Sequence, residues 1–149
     1  MIVRPIEKDD KEVFFELNKE FYSSNATHRG FDESLTDKTF EYIISRHENL
    51  WGYMIIDKDT KLPIGYALLT SYWCNEDGGN VIILDELYIN SASRHKGYAK
   101  KLLDYMEEEF KNKAVSITLE VVTTNIPAKN LYAKLGYTED GFEVLTKRL

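Results

Sequence analysis

Residues 81–110 read VIILDELYINSASRHKGYAKKLLDYMEEEF, and the rest of the chain is interpreted from them. An apolar, β-branched run at 81–84 passes through two carboxylates, Asp85 and Glu86, and resumes with Leu87, Tyr88 and Ile89, which predicts a central strand. Asn90, Ser91, Ala92 and Ser93 are turn formers. Arg94, His95, Lys96, Gly97 and Tyr98 then lead into Ala99, Leu102, Leu103, Met106 and Phe110, whose spacing predicts a helix. A strand, a short turn and the first turn of a helix gather unpaired backbone N–H groups at the positive end of the helix dipole, a natural seat for an anion. Gly97 lets such a group approach the backbone, and Arg94, Lys96, Lys100 and Lys101 add charge around it. Taken alone, the segment reads equally well as an ordinary joint with surface lysines.

A second β-branched run at 116–122 precedes Asn125, which can cap a helix with Pro127 in its first turn; Gly136 can end that helix. Arg94-x-x-Gly97-x-Ala99 after one strand, and Asn125-x-x-Ala128-x-x-Leu131-Tyr132-x-x-Leu135-Gly136-Tyr137 after the next, together resemble the acetyl-CoA signature of the GNAT N-acetyltransferase superfamily. These motifs span residues 82–137, and the element order extends the resemblance over nearly the whole chain.

The 149 residues fit one domain, 1–149, large enough to bury a core without staples. A composition of 43% hydrophobic and 30% charged residues is that of a globular protein in water. No apolar run approaches the roughly 20 residues that span a bilayer, and Met1-Ile2-Val3-Arg4-Pro5 does not begin a signal peptide, so a cytoplasmic protein without a membrane partner is expected. The lone Cys74 excludes an internal disulfide and a thiolate metal cluster, and it reads as a small filler at a strand end. A net charge of −6 argues against a nucleic-acid partner, whose phosphates must be neutralised by Lys and Arg, and weakly favours a cationic acceptor. The basic cluster at 94–101 stands out against that acidic background.

From the N-terminus, residues 2–6 read as a first strand limited by Pro5. Asp9 or Asp10 can cap a helix carrying Val13, Phe14, Leu17 and Phe21 on one face. A polar loop at 23–34 follows, then a helix over 36–46 with Phe40, Ile43, Ile44 and His47 on its face. Runs at 50–57 and 64–73 predict a hairpin, and the turn at 75–80 returns the chain into the central strand as an antiparallel meander. That strand and 116–122, joined through a helix, should be parallel with a right-handed crossover. Residues 137–140 and 142–147 are strand candidates. The expected fold is α/β with a mixed sheet, in the order β1-α1-α2-β2-β3-β4-α3-β5-α4-β6-β7.

The resemblance further implies that the two parallel strands splay, with pantetheine entering between them. Carried over, the backbone of Leu87, Tyr88 and Ile89 would bind pantetheine. Arg94, His95, Lys96, Gly97, Tyr98 and Ala99 would cradle the diphosphate of acetyl-CoA. Asn125, Ala128, Asn130 and Tyr132 would line the pantetheine side, and no metal is required. Transfer to an amine requires loss of the amine proton, polarisation of the thioester oxygen and protonation of the departing sulfur. Tyr132 occupies the position that often supplies the last proton in the family; it also reads as an aromatic packing the last helix. Strict alternation puts Asp85 and Glu86 on opposite faces, so at most one of them can readily face the acceptor. The resemblance favours Glu86 as the base, because carboxylates at this end of the strand serve so in some relatives, and a structural carboxylate is an equal reading. Tyr22, Phe31, Asp32, Tyr72 and Trp73 are the expected acceptor contacts, and aromatic and acidic residues together suit a small-molecule or peptide amine. The resemblance also allows a homodimer. A noncatalytic acyl-CoA-binding module is the alternative function.

Overall fold

In the computed structural model, which describes residues 1–46 and 48–148, a single mixed sheet carries helices on both faces. The strands are β1 (Ile2–Pro5), β2 (Leu50–Ile56), β3 (Pro63–Cys74), β4 (Gly79–Ile89) and β5 (Ser116–Leu119), in that spatial order. β1 to β4 pair antiparallel, and β5 runs parallel to β4. The helices are α1 (Lys11–Tyr22), α2 (Glu33–Ile44), α3 (Tyr98–Phe110) and α4 (Ile126–Lys134). The mixed α/β class, the meander and the parallel β4–β5 pair are as the sequence led one to expect.

Helices α1, α2 and α3 are each fixed by the stripe they bury. Phe14, Leu17 and Phe21 of α1, with Phe40 and Ile43 of α2, pack on Met54, Ile56, Tyr66, Leu68 and Tyr88. On the opposite face Leu102, Leu103, Met106 and Phe110 of α3 cover Ile55, Ala67, Leu69, Ile82, Leu84 and Ile89. Full burial of one such side chain contributes about 1.5–3 kcal/mol and each stripe holds more than one, so these stripes dictate which way α1, α2 and α3 turn. Asp10 precedes α1 but does not cap it through its side chain. Its carboxylate instead takes Arg4 in a two-pronged pair at 2.6 and 2.7 Å and accepts from the Glu7 amide at 2.8 Å. Asp32 does cap α2, accepting from the amides of Ser34 and Leu35. His47, expected on the face of α2, lies outside the described residues.

Two expectations are corrected. Residues 137–147 form no strand, so the sheet has five strands rather than seven. An alternating pattern marks a face to be buried but does not supply a ladder. β5 offers an edge only four residues long, Gly141 turns the chain at φ +81°, and Phe142, Val144 and Leu145 stand 76, 73 and 92% exposed. The second correction concerns β4. Leu68 pairs with Glu86 and Leu69 with Leu84, so Asp85 is the extra residue of a β-bulge. Leu84 and Leu87 consequently share the α3 face, whereas strict alternation would place them on opposite faces. Glu86 thereby turns to the α1/α2 face, and Asp85 borders the cleft on that side too.

Candidate active site

The bulge lies where the sheet opens. β4 and β5 pair from Val81↔Ser116 to Leu84↔Leu119 and no further, so residues 85–89 keep β3 on one edge and have no strand on the other. Asn90 donates its amide to the Ile64 carbonyl at 2.8 Å. Peptide groups alternate sides along a strand, so Tyr88 faces β3 while Leu87 and Ile89 turn theirs to the open side. The Ile89 carbonyl accepts from Arg94 Nε at 3.0 Å. The Leu87 peptide group is therefore the principal backbone site facing the opening.

Directly beyond, His95 and Gly97 adopt left-handed conformations, φ +62° and +76°, and Gly97 stands at the N-cap of α3. No side chain caps that helix start, and a Cβ at Gly97 would meet nothing within 4 Å. Arg94, His95, Lys96 and Gly97 are exposed, while Tyr98 and Ala99 are half-buried. The helix-start amides point into open space ringed by positive charge, an arrangement that fits the diphosphate of a CoA thioester, and the free edge of β4 fits its amide-bearing arm. Tyr98 is tied by its hydroxyl to Asp57, Lys100 pairs with Asp104 at 2.7 Å, and Lys101 lies over the Tyr98 ring.

Across the opening, Asn125 caps α4 by accepting from the Ala128 amide at 3.3 Å. Tyr132 is half-buried on the α3 side, its ring centroid 5.8 Å from that of Tyr137. Burial raises its pKa, which keeps the phenol protonated and able to donate. Asn130 is exposed on the same helix.

On the α1/α2 side, Glu86 closes the floor of a cleft of about 370 Å³. Its Oε2 accepts from Tyr66 at 2.6 Å and from Asn18 Nδ2 at 3.1 Å, and its Oε1 accepts from Tyr22 at 2.7 Å. Asn18 Oδ1 in turn accepts from Thr36 at 2.7 Å, tying α1, α2, β3 and β4 together. Burial raises the Glu86 pKa; Tyr66 and Tyr22 pull it back down, the charge of Asp85 raises it again, and Asn18 lowers it. Tyr22 is raised well above the usual phenol value, first by burial and then by the Glu86 charge. Asp85 is exposed overall, but its carboxyl group is raised by partial desolvation and then by Glu120.

Among the expected acceptor contacts, Tyr22 and Asp32 line this cleft. Phe31 is half-buried beside it without lining it, and Tyr72 and Trp73 lie farther along β3, 49 and 61% exposed and outside the lining. Asn18, Arg29, Thr36 and Asp85 enter the cleft without having been singled out as contacts. Asn18 carried a readable signal: it is a polar residue on the face defined by Phe14, Leu17 and Phe21.

The Acetyltransferase (GNAT) family matches residues 11–137. The chain belongs to that family. It is an acyltransferase. The D-amino-acid N-acetyltransferase HPA3 of Saccharomyces cerevisiae is 28% identical over 151 residues, covering 99% of this chain and 90% of that protein. The fold is shared with a possible acetyltransferase from Clostridium difficile 630, at a TM-score of 0.86 and 17% identity over 99 and 97% of the two chains. It is shared too with AAC(6')-Iy, solved with the bisubstrate analog CoA-S-monomethyl-acetylneamine, at a TM-score of 0.80 and 17% identity over 99 and 97%. Among the described residues no helix is long and apolar enough to cross a membrane.

Proposed function

We propose that residues 1–149 act as one cytoplasmic N-acetyltransferase domain that moves an acetyl group from acetyl-CoA directly to a primary amine of a small molecule. The observation that carries this reading is the end of β4–β5 pairing at Leu84, which opens the sheet between Glu86 on one face and Tyr132 on the other. The amine enters from the α1/α2 cleft. The thioester reaches the same gap along the free edge of β4, its diphosphate held at the Gly97 turn. Glu86 accepts the amine proton directly or through water, its raised pKa matching it to that task. A backbone N–H of β4 polarises the carbonyl oxygen. As the N–C bond forms and the C–S bond breaks, Tyr132 passes its phenol proton to the sulfur. The cleft volume and the amino-acid activity of the yeast relative both favour a small acceptor over a large peptide.

An amine panel read by CoA release tests the reading, with acetyl-CoA affinity measured by calorimetry alongside. Acetyl-CoA binding together with release for a small primary amine is expected. Binding with no release for any amine would refute the transferase reading, and absence of binding would refute the cofactor site.

A further inference from the structure

The charges lining the α1/α2 cleft are one cation, Arg29, and three carboxylates, Asp32, Asp85 and Glu86. Two of the carboxylates are already employed. Asp32 accepts from the Ser34 and Leu35 amides and from the Ser34 hydroxyl, and Glu86 accepts from Tyr66, Tyr22 and Asn18. The remaining two charges are not. Among the described residues neither the Arg29 nor the Asp85 side chain makes an ion pair or a hydrogen bond, and only the Arg29 backbone N–H is engaged, donating to the Thr27 hydroxyl at 3.1 Å. Both border one cleft and yet stand too far apart to satisfy each other, the guanidinium on the α1–α2 loop and the carboxylate on the bulge of β4. Their complement is a molecule carrying both charges, with its ammonium toward Asp85 and Glu86 and an anionic group toward Arg29. A guanidinium matches a carboxylate in two-pronged geometry.

We infer that Arg29 reads a carboxylate on the acceptor, so that the substrates are small amino acids held as zwitterions rather than simple amines. This rests on the transferase reading above and deepens it. Arg29 is a specificity residue that touches the substrate away from the reacting nitrogen. The loop that carries it, residues 23–32, joins α1 and α2, so the group chosen by this enzyme is set by a segment outside both cofactor motifs.

The test uses matched acceptors: D- and L-alanine against ethylamine, and D- and L-phenylalanine against 2-phenylethylamine. In the wild type at least one amino acid of each pair of enantiomers should exceed its decarboxylated partner in kcat/KM by tenfold or more. Arg29→Gln should lower that ratio at least tenfold, mainly through KM for the amino acid, with Arg29→Lys falling between. Turnover with a ratio near one in the wild type, or an Arg29→Gln loss shared equally by acids and amines, overturns the inference and leaves the transferase intact. Absence of turnover with every acceptor defeats the transferase reading itself.

Discussion

On the α1/α2 side of β4, Glu86 is met by donors from α1 and β3, Thr36 of α2 locks Asn18 behind it, and Glu86, Asn18 and Thr36 are buried. On the β5 side, α4 buries none of its residues, and its start is held by one side-chain bond of 3.3 Å. The buried side-chain polar atoms without a partner among the described residues, Asn90 Oδ1 and Tyr137 Oη, follow the end of β4 and the end of α4. The proposed acceptor wall is thus completed by the chain's own bonds, and the proposed cofactor wall is bonded more sparsely. On the proposed reading, the acceptor would meet a wall already bonded and the thioester would order the other.

That contrast is broken most severely at Tyr132. Tyr132→Phe keeps the ring against Tyr137 and removes only the proton, so kcat should fall about 10²-fold while acetyl-CoA affinity holds. Single-turnover kinetics with calorimetry separates the two. Equal losses in affinity and turnover would show the residue packing α4 rather than donating.

Glu86→Gln attacks the rigid wall. The amide cannot take up a proton and must offer its NH2 toward donors that the carboxylate accepted, so a rate loss of at least tenfold and a stability loss of about 1–3 kcal/mol are expected. The acid limb of the wild-type pH profile should lie above the ordinary carboxylate range and vanish in the variant. Stability changes with a definite sign as well. The folded pKa is raised, so between the ordinary and the raised value only the folded state holds the proton, and stability falls as pH rises through that interval. Asp10 behaves in the opposite sense. Its bond from Arg4 is the largest cause of a lowered pKa, so its contribution is present above the ordinary value and is lost as pH falls.

Gly97→Ala sharpens the cofactor side. The added methyl meets no atom, but φ +76° is costly for any residue with a Cβ, about 1–2 kcal/mol. The expected outcome is a modest drop in melting temperature and a several-fold weaker acetyl-CoA affinity, with the ratio of amino acid to amine turnover unchanged. In the wild type, acetyl-CoA should slow amide exchange on α4 and β5 far more than on α1.

The motifs behind the proposed cofactor wall are legible in the sequence and much of the proposed acceptor wall is not, the reverse of how firmly each is bonded. Arg94, Gly97, Asn125 and Tyr132 are local signals: a turn, a left-handed glycine, a cap and a helix position, each readable within a few residues. The acceptor wall is assembled from residues up to 68 positions apart, as in the bond from Asn18 to Glu86, and no local pattern announces such a pairing. The bulge was hidden for a related reason. Alternation has no term for one extra residue, so Asp85 and Glu86 read as opposed when the partner strand places both at the cleft. The failed strands at 137–147 show the same limit from the other side, since the pattern was present but the edge offered by β5 is only four residues long.

Thr36→Val is the finest probe of whether the acceptor wall is rigid by design or merely crowded. The change conserves shape and deletes the hydroxyl that donates to Asn18 Oδ1 at 2.7 Å, leaving a buried amide oxygen without its donor, at a cost of about 1 kcal/mol. Asn18 holds one oxygen of Glu86 and the Tyr66 hydroxyl through its Nδ2. If the network aims Glu86, freeing the far end of Asn18 should lower kcat/KM a few-fold and move the acid limb upward, because a weaker bond to the carboxylate favours its protonated form. If the wall is held by packing alone, the variant loses stability while its pH profile stays where it was.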